Sequence, residues 1–132
     1  IMEILKVKTR KRKEVVDITA DVERIVSKSN VKEGICFLFV PHATAALTIN
    51  ESADPNIKTD FLESLEKLIP DGIWRHDRID NNGAAHLKSA IIKPDLMIPI
   101  KDSRLLLGTW QAIMLCEFDG PRERKIYVSF LK

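Results

Sequence analysis

The spacing of apolar and polar positions divides the chain into short strands and three helical stretches. Two aliphatic runs, Ile4-Leu5-Lys6-Val7 and Val15-Val16-Asp17-Ile18, flank a polar stretch and predict strands over 3–9 and 14–18 paired as a hairpin. Val22, Ile25 and Val26 share one helical face, so a helix is expected over 21–29 with Thr19 as its cap. Gly34 ends that connection. The apolar run 35–40 reads as a buried strand, Pro41 interrupts it, and 45–50 reads as another. Asp54 suits an N-cap and Pro55 the first helical position, and Ile57, Phe61, Leu62, Leu65, Leu68 and Ile69 then recur at helical spacing until Pro70-Asp71-Gly72 stops the helix. Residues 73–81 read as an ordered loop. A short helix is expected over 83–92, capped by Asn82. Strands follow over 95–101, 104–107, 109–118 and 124–131, the last two joined by a turn at Asp119-Gly120-Pro121-Arg122. Alternation in 109–118 puts Trp110, Ala112, Met114, Cys116 and Phe118 on one face and Gln111, Ile113, Leu115 and Glu117 on the other. Trp74 and Trp110 read as packing residues.

Most of the helix falls in the first two-thirds and the last third is all strand, which is an α+β pattern with mainly antiparallel pairing. At 132 residues, 1–132 is expected to be a single domain. No apolar run approaches the ~20 residues that a membrane helix needs. The beginning of the chain shows no basic segment followed by an apolar one, so a cytoplasmic protein is expected. Cys36 and Cys116 lie in apolar runs without Cys-x-x-Cys spacing and should be buried, reduced thiols. Charge is uneven. Residues 6–13 hold Lys6, Lys8, Arg10, Lys11, Arg12 and Lys13, while the remainder is net acidic. Such a cluster can bind phosphate backbones, but no aromatics interleave it, so a solvated hairpin tip is the favoured reading over nucleic-acid binding.

Three histidines carry the candidate chemistry: His42, His76 and His86. Each is expected at a strand end, a loop or a helix start. Three imidazoles can hold a zinc-type ion and leave a position open for water or substrate. Their separations of 34 and 10 residues match no short zinc signature, so the alternative is three unrelated histidines that cap or pack. Asn82-Gly83-Ala84-Ala85 opens a helix with small side chains and accessible N–H groups, a ready phosphate site to which Lys88 and Arg122 would add positive charge. The alternative is that these residues are small because another element packs against them. Asp80 would oppose an anion there. Glu117 and Asp119 are candidates for Mg²⁺ or, more commonly, for pairing with Arg122. There is no Gly-x-Gly-x-x-Gly, P-loop or Gly-x-Ser-x-Gly motif, so nucleotide-fold and serine-hydrolase readings have no support.

Four blocks in order resemble the YjbQ-like family: Pro41-His42-Ala43-Thr44-Ala45-Ala46-Leu47-Thr48-Ile49-Asn50-Glu51, Ala85-His86-Leu87-Lys88-Ser89, Leu107-Gly108-Thr109-Trp110-Gln111 and Cys116-Glu117-Phe118-Asp119-Gly120-Pro121-Arg122. The resemblance covers essentially the whole chain. It implies two packed, mainly antiparallel sheets with two to three helices, assembled as a homotrimer. It also implies a secondary thiamine-phosphate synthase activity, which joins a pyrimidine diphosphate to a thiazole phosphate and releases pyrophosphate. His42, His76 and His86 fall where the family pattern carries histidine. The chain departs from that pattern at Ala43, where Thr is usual, and at Ala84, where many members have a further His.

The expected site is a pocket with His42, His76 and His86 as metal ligands and Asn82, Gly83, Lys88 and Arg122 as phosphate-binding groups. Glu51, Lys88 and Arg122 are the candidates for a catalytic role, with a divalent metal, Zn²⁺ or Mg²⁺ with a diphosphate substrate, as cofactor. Nine strand residues separate His42 from Glu51 by ~30 Å, so Glu51 would serve a neighbouring subunit or pair across the trimer interface. The expected partners are the chain itself and a small phosphorylated molecule, not nucleic acid or membrane. The alternatives are a non-catalytic metal- or small-molecule-binding trimer, a zinc-assisted phosphoester hydrolase, and a nucleic-acid module acting through residues 6–13.

Overall fold

A computed structural model describes residues 2–132. The order of elements is β1 (Glu3–Lys8), β2 (Glu14–Asp17), α1 (Thr19–Ser29), β3 (Gly34–Phe39), β4 (Ala45–Asn50), α2 (Pro55–Leu68), α3 (Asp77–Asp80), α4 (Gly83–Ile92), β5 (Asp95–Lys101), β6 (Arg104–Leu105), β7 (Ala112–Glu117) and β8 (Glu123–Leu131). The strands form a five-stranded sheet ordered β1-β8-β3-β5-β6 and a three-stranded sheet ordered β2-β7-β4, with every pair antiparallel. The expected α+β architecture of two antiparallel sheets with helices is what the chain adopts, but β1 and β2 do not form the expected hairpin: β1 pairs with β8 in one sheet and β2 with β7 in the other.

The small sheet is the middle layer. Leu47 and Leu115 on one of its faces join Leu38, Ile98 and Ile126 of the large sheet and Val22 of α1 in the main core. Ala46, Cys116 and Phe118 on the other face pack against Leu65 of α2 and Ala85 of α4. β7 is therefore buried along its whole length. Both thiols are buried, and burial pushes each up to about 12, so neither is a reactive thiolate. No helix among the described residues is long and apolar enough to cross a membrane.

α2 starts as its sequence dictates, with Asn56 N–H donating to Asp54 Oδ1 at 2.9 Å and Pro55 in the first turn. Elsewhere local expectation yields to tertiary contacts. The stretch 73–81, expected as a loop, contains α3. The strand expected over 109–118 begins at Ala112, because residues 108–111 form a turn closed by Gln111 N–H to Gly108 C=O at 3.0 Å. This turn leaves Trp110 67% exposed, so it is not the packing residue expected. The strand expected over 104–107 shrinks to two residues. Thr19 does not cap α1: Asp17 Oδ1 accepts both its N–H and its hydroxyl, while Thr19 Oγ1 accepts from Ile113 N–H at 2.9 Å. Trp74 does pack, half-buried, with Nε1 donating to Pro70 C=O at 2.7 Å.

One polar cluster is closed between the sheets. Glu117 is 0% and Arg124 1% exposed, and the guanidinium forks onto the carboxylate, with Nε donating to Oε1 at 2.9 Å and a terminal nitrogen closer still to Oε2. Thr9 Oγ1 donates to Oε1 at 2.7 Å, Asp119 N–H donates to Oε2 at 3.1 Å, and Arg124 also donates to Thr44 C=O and Oγ1. Glu117 thus pairs with Arg124 rather than with Arg122 or a cation. Removing one member of such a pair strands a buried charge, which costs about 3–5 kcal/mol. Urea unfolding of Arg124→Met should show a loss of about that size, and the double variant Glu117→Leu/Arg124→Met should recover most of it. Equal losses in both variants would mean that the pair is not the source of the cost.

Candidate functional site

Asp77 organises the region around two of the three histidines. Its Oδ2 accepts Trp74 N–H at 3.1 Å and its Oδ1 accepts Gly83 N–H at 2.8 Å, which clamps the segment before α3 to the first residue of α4. Asn81, at φ 54°, supplies the left-handed residue that reverses the chain between the two helices. A Cβ on Gly83 would lie 2.8 Å from Trp74 Cβ and 2.9 Å from Asp77 Oδ1, so only glycine fits this junction. The junction brings His76, at the N-cap of α3, against His86 of α4 with ring centroids 4.5 Å apart and planes crossed at 69°. Among the described residues His76 Nε2 has no hydrogen-bond partner, and Asp80 Oδ2 stands 3.8 Å away, beyond hydrogen-bond range. Both rings line an open groove of ≈ 620 Å³, with Trp74, Arg75, Gly83 and Leu87.

His42 does not join them. Its Nε2 accepts the backbone N–H of Lys125 in β8 at 2.9 Å, which places its ring proton on Nδ1. No group of three or more His, Cys, Asp or Glu among the described residues is arranged to hold a metal ion within one chain, so the expected triad reduces here to a pair. Glu51 lies just past the end of β4 where Asn50 pairs with Ala112, whereas His42 lies before the opposite end, where Ala45 pairs with Glu117. The expected separation between His42 and Glu51 holds.

The expected phosphate groups are placed as follows. The Asn82 side chain does not cap α4; its Nδ2 donates to Asp119 Oδ2 at 2.8 Å. Gly83 N–H is taken by Asp77, so the first donor of the helix already answers a carboxylate. Lys88 is 1% exposed, pairs with Glu66 and lies 5.8 Å from the Phe118 ring centroid, which removes it as a free phosphate-binding or catalytic ammonium. The reason is angular. Two residues apart on a helix, Lys88 and His86 cannot share a face. Arg122 is exposed and bound to Asp119, with Nε donating to its C=O at 2.8 Å and a terminal nitrogen to its carboxylate at 3.2 Å. Asp119 therefore joins Arg122 to Asn82. Sequence reasoning missed Asp77 and Arg75. The one signal available for Asp77 was a helix-capping residue placed ahead of Gly83.

The described fold has close counterparts. The family model for the UPF0047 protein YjbQ-like family matches residues 3–132. The chain belongs to this family. A UPF0047 protein of Methanocaldococcus jannaschii is 47% identical over 125 residues, covering 95% of this chain and 90% of that protein. The UPF0047 protein YugU of Bacillus subtilis is 39% identical over 134 residues, covering 99% of each. Among solved structures, a YbjQ-like protein of unknown function from Sulfolobus solfataricus superposes with a TM-score of 0.94 at 40% identity, covering 98% of this chain and 95% of that one. A hypothetical protein from Aeropyrum pernix superposes with a TM-score of 0.95 at 40% identity, covering 99% and 98%. UPF0047 membership thus accounts for the fold over essentially the whole chain and leaves the chemistry to be read from the site.

His42 carries a pH dependence of its own. Burial, then the Arg124 charge, hold its imidazole below the ordinary value of 6.5, against a smaller opposite pull from Glu117, with Lys125 and Arg122 adding to the depression. A depressed folded value means that the unfolded chain takes up the proton first. Stability is therefore full above pH 6.5 and falls as the pH drops through the folded value. The thermal midpoint of the wild type should fall more steeply below that pH than that of His42→Asn, which keeps an acceptor but does not titrate. Superimposable profiles for the two proteins would show that His42 does not contribute.

Proposed function

We propose that the protein works as a homotrimer and that the His76–His86 groove binds a divalent metal together with a phosphorylated small molecule. The observation that carries this reading is the meeting of two imidazoles from different elements at the wall of an open groove, one with an unpartnered Nε2. Unpaired imidazole nitrogens suit Zn²⁺, and two protein ligands leave positions for phosphate oxygens and water. A bound divalent ion would supply charge neutralisation to a diphosphate. Arg75 lines the same groove and can take a phosphate oxygen. By family resemblance the activity to expect is a low, secondary thiamine-phosphate synthase turnover. The second reading is metal or small-molecule binding in the same groove without turnover. It is favoured by Glu51, Lys88 and Arg122, the catalytic candidates, standing outside the lining of the groove. The zinc-hydrolase reading loses its support with the separation of His42.

Self-association is supported by the outer face of the large sheet. Phe37, Phe39, Met97, Pro99 and Leu131 point away from the core there, with Met97 66% exposed. A contiguous apolar face of this kind marks an interaction site. Light scattering should give about three times the chain mass of 15.0 kDa for the wild type and a lower mass for Met97→Glu. A monomeric wild type would overturn the assembly.

Metal content decides the site. Protein purified without chelator or affinity-tag nickel should carry about one divalent metal per chain. His76→Ala and His86→Ala should lose it, and His42→Ala should keep it. Pyrophosphate should raise the thermal midpoint of the metal-loaded protein and not of His86→Ala. Retention of metal in His76→Ala/His86→Ala, or an unresponsive metal-free wild type, would remove the groove as a site. Turnover of the pyrimidine and thiazole phosphates above background, lost in His86→Ala, separates the catalytic from the binding reading.

A further inference from the structure

The basic stretch between β1 and β2 is not the solvated hairpin tip expected: the two strands lie in different sheets, and the tip of the connection docks onto the β7–β8 loop. Thr9 N–H donates to Arg122 C=O at 3.0 Å and Thr9 Oγ1 accepts Arg122 N–H at 2.9 Å. Gly120 N–H donates to Arg12 C=O at 2.9 Å, and a Cβ on Gly120 would stand 2.5 Å from Lys11 C=O, so tip and loop touch backbone to backbone. Glu14 Oε2 accepts the N–H groups of Arg10 and Lys11 at 2.5 and 2.7 Å, and Arg12 donates to Asn81 C=O at 3.2 Å. Thr9 itself is tied to the buried Glu117. The fold therefore holds a set of like charges in one fixed arrangement.

Lys13 alone turns inward, to Glu66 and Asp71 at 2.8 and 2.5 Å. Arg10, Lys11 and Arg12 stay exposed on the tip, and Arg122 sits beside them on the docked loop. Lys6 and Lys8 point outward from β1, since Leu5 and Val7 between them point inward. Lys125 of β8 lies directly opposite Lys6 and is also exposed. Like charges directly across a sheet destabilise it. Lysines on β1 would protect an edge strand from pairing, but β8 is an interior strand and Lys125 has no such use. Lys8 stands directly opposite Glu123 without an ion pair between them, and Lys6, Arg10, Lys11 and Lys125 likewise have no ion-pair partner among the described residues.

We infer that this corner of the molecule is a docking surface for the phosphate backbone of double-stranded nucleic acid, RNA or DNA, without sequence preference. The cations spread along a strand, the β1–β2 connection and a neighbouring loop, with Lys6 and Lys8 ~7 Å apart, which suits a row of phosphates rather than one. Residues 8–13 offer no apolar side chain to enter a bilayer and no aromatic ring to stack an unpaired base, and the flanking Ile4 and half-buried Tyr127 touch only the Lys6–Lys125 end, so a duplex backbone is favoured over a membrane or a single strand. None of these cations lines the His76–His86 groove, although Arg12 reaches Asn81 and Arg122 reaches Asn82 through Asp119 beside it. Lys6, Lys8 and Lys125 continue the outer face of the large sheet beyond its apolar patch. The inference stands whether or not the groove binds metal.

The test is fluorescence anisotropy of labelled RNA and DNA duplexes with the full-length protein, beside the matching single strands and vesicles containing phosphatidylserine. At least one duplex should bind, and log affinity should fall against log salt between about 50 and 200 mM with a slope steeper than about −3. Lys8→Gln/Arg10→Gln/Lys11→Gln alters only exposed ends and should keep the wild-type melting temperature. It should weaken duplex binding about tenfold or more and flatten the slope by about two to three. His86→Ala should bind like the wild type. Absence of duplex binding at about 100 µM protein in low salt, affinity indifferent to salt or to the triple variant, or binding confined to vesicles or single strands would each overturn the inference.

Discussion

The fork between Arg124 and Glu117 is the constraint on which the functional end of the molecule depends. Both charges lie between the sheets, where an uncompensated ion costs several kcal/mol, so the positions of everything that satisfies them are fixed as well. Those partners are Thr9 at the base of the basic tip, Thr44 after His42, and Asp119 N–H in the loop that carries Arg122. One buried pair thereby registers three segments against each other. A hydrophobic replacement of similar shape could match its stability but would not specify where those segments sit.

The same end shows why parts of the chain were legible in advance and others were not. Where a signal is local, it was sufficient. Asp54-Pro55 starts α2, the apolar runs mark β3 and β4, and strand arithmetic places His42 and Glu51 apart. Where the cause is tertiary, it was not. β7 is buried on both faces because α2 and α4 cover the second side of a middle sheet, and alternation along a single strand cannot reveal a third layer. α3 is one turn long and exists because Asp77 is clamped to a glycine in the next helix. The expectation for Lys88 failed for a different reason. Its position two residues from His86 already put it on another face of the helix, which the sequence could have told.

Asn82 and Gly83 carried two readings in the sequence, a phosphate site or tight packing by another element, and the surroundings of Gly83 match the second. Their smallness and polarity serve a packed junction in which Trp74, Asp77 and Asp119 take the available space and donors. The histidine pair is a product of that junction, since the clamp is what turns His76 towards α4.

This arrangement orders the two halves of the proposed chemistry. A helix start can attract an anion when its first N–H groups are vacant, but here Asp77 already accepts from Gly83. A phosphate arriving in the groove meets a dipole end that an internal carboxylate has partly neutralised, with Asp80 close to His76. Arg75 is the guanidinium that lines the groove, and a metal ion on the imidazoles would be the other source of positive charge. On the proposed reading, phosphate affinity in the groove would therefore depend on metal occupancy in a way that the basic corner, with its unpaired lysines, would not.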